Sequence, residues 1–336
     1  MKAQRLHYLD VLRFIATLGV ICIHVSSKEI VSALASYNWY LSVFFDGLVR
    51  WSVPIFVMIS GTLFLNPAKE ISTKDIITKK IARLLMAYLF WWIFYSALVM
   101  AWHYVFDDVF VFSLELHYHL WFLPMLMGVY LFIPCLRKIS PDKKILSYSL
   151  LIWFFYISGS FLFLNDDIQI SQLFQLNSVV GYSGYFLLGY FISTHSVSKK
   201  QSRIIYVLGI LGLLMTISGC VFSSVYMGRT DLRFFEPLSP NVILTSMALF
   251  VFIKEKFTNK STNKSTEKNK FINSIRHDLF GIYLIHPVYI LIFNHDMFRN
   301  ICNHIVTIPA VIVIVFIFSL YTTKLLRLTP LRKIIE

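Results

Sequence analysis

The chain is poor in charge and in cysteine. Of its 336 residues only 15% are charged and 18 are Asp or Glu, whereas 57% are hydrophobic. That balance lies far outside the range of an ordinary soluble domain and describes a polytopic membrane protein. The four cysteines, Cys22, Cys135, Cys220 and Cys302, stand isolated on apolar segments without ligand spacing. They read as core filler, and no disulfide framework or thiolate metal site is expected. The first apolar run is followed by Ser-Ser-Lys-Glu rather than a small-residue cleavage site and carries an arginine, so it is expected to remain as a span. No inverted or parallel repeat relates the two halves, which argues against a transporter architecture. Long polar sequence is scarce too. The one extended stretch, KEKFTNKSTNKSTEKNK at 254–270, lacks the apolar content to fold alone, so 254–276 is expected to be a flexible basic cytoplasmic loop within a single membrane domain covering 1–336.

What is present is a series of apolar runs near 9–25, 41–65, 82–105, 119–136, 145–164, 178–194, 204–223, 238–253, 279–294 and 305–323. Each approaches the roughly 20 residues a helix needs to cross a hydrocarbon core. The expected fold is therefore an all-α polytopic membrane bundle of about ten transmembrane helices. The net charge of +13 follows topology, because 25 of the 31 basic residues fall on alternate connections. That is the positive-inside pattern, and it predicts both termini in the cytoplasm, contact with membrane lipids and no nucleic-acid partner. The segment 66–81, with Ile71, Ile76, Ile77 and Ile81 set against lysines, predicts an interfacial amphipathic helix leading into the third span.

The first span carries the chemistry. Arg13 and His24 are eleven residues apart, about 20° from three whole turns at about 100° per residue. With Asp10 and Thr17 they form a polar stripe on an otherwise apolar helix. Intramembrane charge on one face points to a functional site turned into a bundle. In the second span Asp46 and Arg50 are four apart and can pair on one face. A structural ion pair and a substrate contact both remain open for them. Pro54 predicts a kink and Ser60-Gly61 a close helix approach. An arginine suits phosphate recognition and a histidine general-base work. Arg13 near the cytoplasmic end, with His24 about 16 Å further out at a depth near that of Arg50, fits transfer from a cytoplasmic phosphorylated donor to an outward acceptor. Coenzyme A has that shape, and Lys79, Lys80 and Arg83 add either electrostatic capture or topology alone.

YLDVLRFIATLGVICIHV at the N-terminus resembles the signature of the membrane-bound acyltransferase family 3, which O-acylates bacterial surface polysaccharides. RWSVPIFVMISGTLF, HLWFLPMLMGVYLFIPCL and LFGIYLIHPVYI are similar to further elements of that family, in order along the chain. Within it the chain looks most like the stand-alone polysaccharide O-acetyltransferases, including that acting on enterobacterial common antigen. The resemblance implies a multi-pass protein of the bacterial inner membrane that moves an acetyl group from acetyl-CoA to a glycan or its lipid-linked precursor, with no metal. It implies His24 as the essential histidine and Arg13 as its paired arginine, binding the donor. The family's pair of arginines at the third span is matched by Lys80 and Arg83, so the first arginine is replaced. Some members carry a fused extracytoplasmic domain; none is expected here, so the chain is expected either to complete the transfer or to rely on a separate extracytoplasmic partner.

His119, beside Trp121 as a sugar-stacking platform, and His286, before Pro287, join Asp46 and Arg50 as candidate substrate-binding residues, against interfacial or structural roles. His117 and His119 lack a third metal ligand. A polysaccharide or anionic-lipid exporter using the same polar cavity is the alternative function.

Overall fold

The computed structural model describes residues 6–32, 34–67, 69–106, 118–163, 176–258, 270–293 and 303–335. In chain order its helices are α1 (His7–Ser32), α2 (Tyr37–Gly47), α3 (Ser52–Phe64), α4 (Thr73–Asp75), α5 (Ala82–Phe106), α6 (Phe122–Leu131), α7 (Ile133–Ile139) and α8 (Lys143–Phe163). There follow α9 (Leu176–Thr194), α10 (Lys199–Met227), α11 (Pro240–Thr258), α12 (Lys270–Ile275), α13 (Leu279–Phe293), α14 (His304–Leu326) and α15 (Arg332–Ile335). Among the described residues there is no strand, and the protein is an all-α membrane bundle.

Seven helical segments are long and apolar enough to cross a membrane, or eight if α6 and α7, bent by 55°, are one span. Two of the ten runs expected from sequence fall outside that count. The α13 helix has 15 residues, and α9 is diluted by serines and glycines. The expected amphipathic helix before the third span starts at Thr73 and joins α5 through a π-helical turn, Ile76–Ile81. The helical ends of the basic loop reach Thr258 and resume at Lys270. Its centre, 259–269, lies outside the described residues, as do His117 and Cys302.

Burial explains which helix holds the site. The α1 helix packs against α2, α3, α11, α13 and α14, and about two thirds of its span is buried. A polar stripe on such a helix can turn into protein rather than lipid. The α8 and α10 helices are mostly exposed and apolar, as lipid-facing helices are.

The second span breaks at Leu48–Trp51 between α2 and α3, a turn upstream of the expected kink at Pro54. Proline lacks an N–H and its ring clashes with the carbonyl four residues back, here that of Arg50, so Pro54 is accommodated in the first turn of a new helix. The backbone loosened there is satisfied locally. Ser52 Oγ donates to the Val49 carbonyl at 2.6 Å and Trp51 Nε1 to the Leu48 carbonyl at 2.6 Å, as buried membrane backbone requires. Below the break α3 lies directly on α9. Gly61 meets the backbone of Phe186, Gly189 meets the backbone of Met58, and Thr62 Oγ1 donates to the Gly189 carbonyl at 3.0 Å. Small residues permit this approach, as Ser60-Gly61 predicted.

Candidate active site

Since α1 is unbroken from His7 to Ser32, the stripe keeps its register. Asp10 is buried and accepts from Arg13 Nη1 at 3.2 Å, and Thr17 Oγ1 donates to the Arg13 carbonyl at 2.9 Å. Arg13 lies within electrostatic reach of Tyr130 and Arg276. Tyr130 in turn lies near Ser60 and Arg83, with Lys80 next to Arg83. The structure thus brings Arg13, Lys80 and Arg83 to one end of the bundle and adds Arg276, whose sequence context marked it only as topological charge.

His24 stands eleven residues beyond Arg13 on α1, on a cavity of about 140 Å³. Arg50, His119, Trp121, Phe56 and Tyr283 share its lining, so four of the sequence candidates converge there. Arg50 is delivered by the break in the second span. Asp46 binds its guanidinium through both carboxylate oxygens, the Phe235 ring lies 4.4 Å beneath it, and the Phe235 carbonyl accepts at 3.4 Å. Asp46 itself has no exposed surface and reaches the cavity only through Arg50.

His286 is placed behind the cavity rather than on its wall. Its ring stacks on that of His24 at 5.3 Å and lies edge-on to His119 at 5.5 Å. Pro287 explains its hydrogen bond. Without an N–H at 287, the carbonyl of Tyr283 loses its helical donor, and His286 Nδ1 stands 2.7 Å from that oxygen. A carbonyl only accepts, so Nδ1 carries a proton. The Tyr283 hydroxyl donates to the His119 carbonyl, which fixes the turn at Tyr118–Trp121 against α13. Tyr118 lies edge-on to His24 with ring centres 4.5 Å apart.

Several residues here were not singled out from sequence. Tyr283 lies within the string LFGIYLIHPVYI and was detectable there. The connection Arg233–Ser239 had no signal, yet Pro237 lines the cavity, and the exposed Glu236 lies within electrostatic reach of Arg50. Asp231 braces that connection through Arg233 Nη2 at 2.9 Å. Burial pushes the Asp231 carboxyl up, and hydrogen bonds from Arg233 outweigh it, so it stays below the ordinary carboxylate range.

The arrangement can do acyl-transfer chemistry. A cavity of about 140 Å³ is well below the roughly 300 Å³ at which drug-sized ligand pockets begin, and has room for the reacting ends of substrates rather than a whole nucleotide. His24 places an imidazole on its wall, and Arg50 a guanidinium held by Asp46. Among the described residues no group of three His, Cys, Asp or Glu side chains is placed to hold a metal ion.

A family model described as an acyltransferase domain matches residues 6–324, which takes in both ends of the polar stripe and every cavity residue named above. No curated protein and no solved structure gives a match. The chain belongs to the acyltransferase 3 family and is a membrane acyltransferase.

Proposed function

We propose that the protein transfers an acetyl group from cytoplasmic acetyl-CoA to a hydroxyl of a cell-surface polysaccharide or its lipid-linked precursor, in the inner membrane of a bacterium, with both termini in the cytoplasm. The observation that carries this reading is the separation of roles along one helix face, with Arg13 among cations at one end and His24 on a small cavity at the other. The cations Arg13, Lys80 and Arg83 hold the phosphates of coenzyme A. The thiol arm follows the α1 stripe for about 16 Å and presents its thioester beside His24. His24 takes the proton of the acceptor hydroxyl as its oxygen attacks the thioester carbonyl. Arg50 stabilises the tetrahedral oxyanion. Collapse breaks the C–S bond, and the thiolate of coenzyme A leaves with the proton held by His24. Trp121, with His119 beside it, stacks the acceptor sugar at the cavity mouth.

The test is transfer by the purified protein in nanodiscs from radiolabelled acetyl-CoA to membrane-derived glycan. Label in an alkali-labile ester, abolished in His24→Ala and showing a raised KM for acetyl-CoA in Arg13→Ala, is the expected result. Failure of acetyl-CoA to bind or turn over, with both variants still blocking display of glycan at the surface, would transfer the cavity to an exporter.

A further inference from the structure

A second cavity, of about 480 Å³, opens between the ends of α9 and α11 and the start of α10. Its lining includes Lys199, Arg203, Lys254, Glu255, Ser202 and Tyr206. Two of the four charges are committed. Lys254 Nζ donates to the carbonyls of Ile192 and His195 at 2.5 and 3.0 Å, capping the last turn of α9 with positive charge. Glu255 accepts from Ser202 at 2.5 Å through one oxygen and from Tyr206 at 2.6 Å through the other. Lys199 and Arg203 form no ion pair or side-chain hydrogen bond among the described residues. At the start of α10 a capping box of Ser198 and Gln201 occupies the amides of those two residues, and the charged groups of this cavity able to attract an anion are side chains.

The face of α10 supplies the second observation. At about 100° per residue, Lys199 and Arg203 share a face about 120° wide with Val207, Ile210, Leu211 and Leu214. These four are between 55% and 60% exposed, so the stripe looks outward from the bundle. From Arg203 to Leu214 it runs about 16 Å at about 1.5 Å per residue, about half of a hydrocarbon core of roughly 30 Å. Two uncommitted cations thus head an apolar track one leaflet deep, a shape that matches an amphiphile and not a soluble anion.

We propose that this cavity binds the phosphate head group of an anionic membrane phospholipid, held between Lys199 and Arg203, with an acyl chain laid along Val207, Ile210, Leu211 and Leu214. Arg203 suits a two-pronged contact with phosphate oxygens and Lys199 a point contact. The site is separate from the donor path. Phe250 and Phe257 of α11 meet Tyr8 and His7 of α1 at 6.0 and 5.9 Å, whereas Val251, Glu255 and Thr258 face the cavity from roughly 100° around the same helix. A lipid here clamps α10 to α11 without entering the path from Arg13 to His24.

Native mass spectrometry of the purified protein, titrated with phosphatidylglycerol or phosphatidylcholine, tests this. Wild type is expected to retain phosphatidylglycerol at concentrations at least tenfold below those needed for phosphatidylcholine. The pair Lys199→Ala and Arg203→Ala erases that preference, while the charge-conserving pair Lys199→Arg and Arg203→Lys keeps it and reports an intact fold. Glu255→Gln removes the opposing carboxylate and is expected to tighten phosphatidylglycerol binding severalfold. Equal retention of both lipids by wild type, or an unchanged preference in the alanine pair, overturns the proposal. Displacement of the lipid by millimolar inorganic phosphate also overturns it, since the cavity then serves a soluble anion.

Discussion

Removing Asp46 while keeping Arg50 leaves a guanidinium in a buried setting without its counter-charge. Asp46 has no exposed surface and the Arg50 side chain is 18% exposed, so water gives the stranded cation little relief. Two charges about 4 Å apart at an effective dielectric of about 20 attract by about 4 kcal/mol. Breaking a buried pair from one side costs about 3–5 kcal/mol. Asp46→Asn, which keeps the shape, is expected to lose about 3 kcal/mol, more than a hundredfold in the folding equilibrium. Replacing both partners, Asp46→Leu with Arg50→Met, removes the stranded charge and is expected to recover most of that loss. Unfolding in detergent micelles, followed by tryptophan fluorescence, measures stability, and acetyl transfer by the folded fraction measures function. The double variant is expected to be stable and inactive, because Arg50 also lines the His24 cavity. A single variant as stable as wild type, or a double variant less stable than the single, refutes the electrostatic reasoning. Recovery of both stability and transfer reduces Arg50 to a structural partner.

Three further outcomes are expected. Gly61→Ala drives a methyl group into the backbone of Phe186, which cannot move aside as a side chain does, so a loss of at least 2 kcal/mol is expected in the same unfolding assay. His286→Ala strands the Tyr283 carbonyl and is expected to lower stability by about 1–3 kcal/mol, whereas His24→Ala abolishes transfer and costs less stability because no backbone carbonyl loses its partner; equal stability losses would remove the distinction between the two histidines. Trp121→Ala, at a side chain 38% exposed on the cavity wall, is expected to raise KM for the glycan about tenfold while leaving KM for acetyl-CoA unchanged, and the opposite split in steady-state kinetics would move Trp121 to the donor side.

Much of this protein was legible along single helices. Low charge and repeated apolar runs determined the membrane bundle, because a lipid solvent demands them of any spanning helix. The spacing of Arg13 and His24 determined that they share a face, the i,i+4 spacing paired Asp46 with Arg50, and Ser60-Gly61 marked a close contact. Helical periodicity reports where a side chain points around its own axis and carries no information about which helix it meets. Only tertiary structure decided that His24, His119 and His286 converge, that Asp46 stands behind Arg50 and outside the cavity, and that His286 answers a carbonyl left bare by Pro287. The same limit hid Pro237 and Glu236, since an irregular connection has no period to read, and left Lys199 and Arg203 looking like topology signals. Their lack of partners and the outward apolar track beneath them exist only once α9, α10 and α11 are packed, because burial and pairing belong to neighbours brought together by the fold.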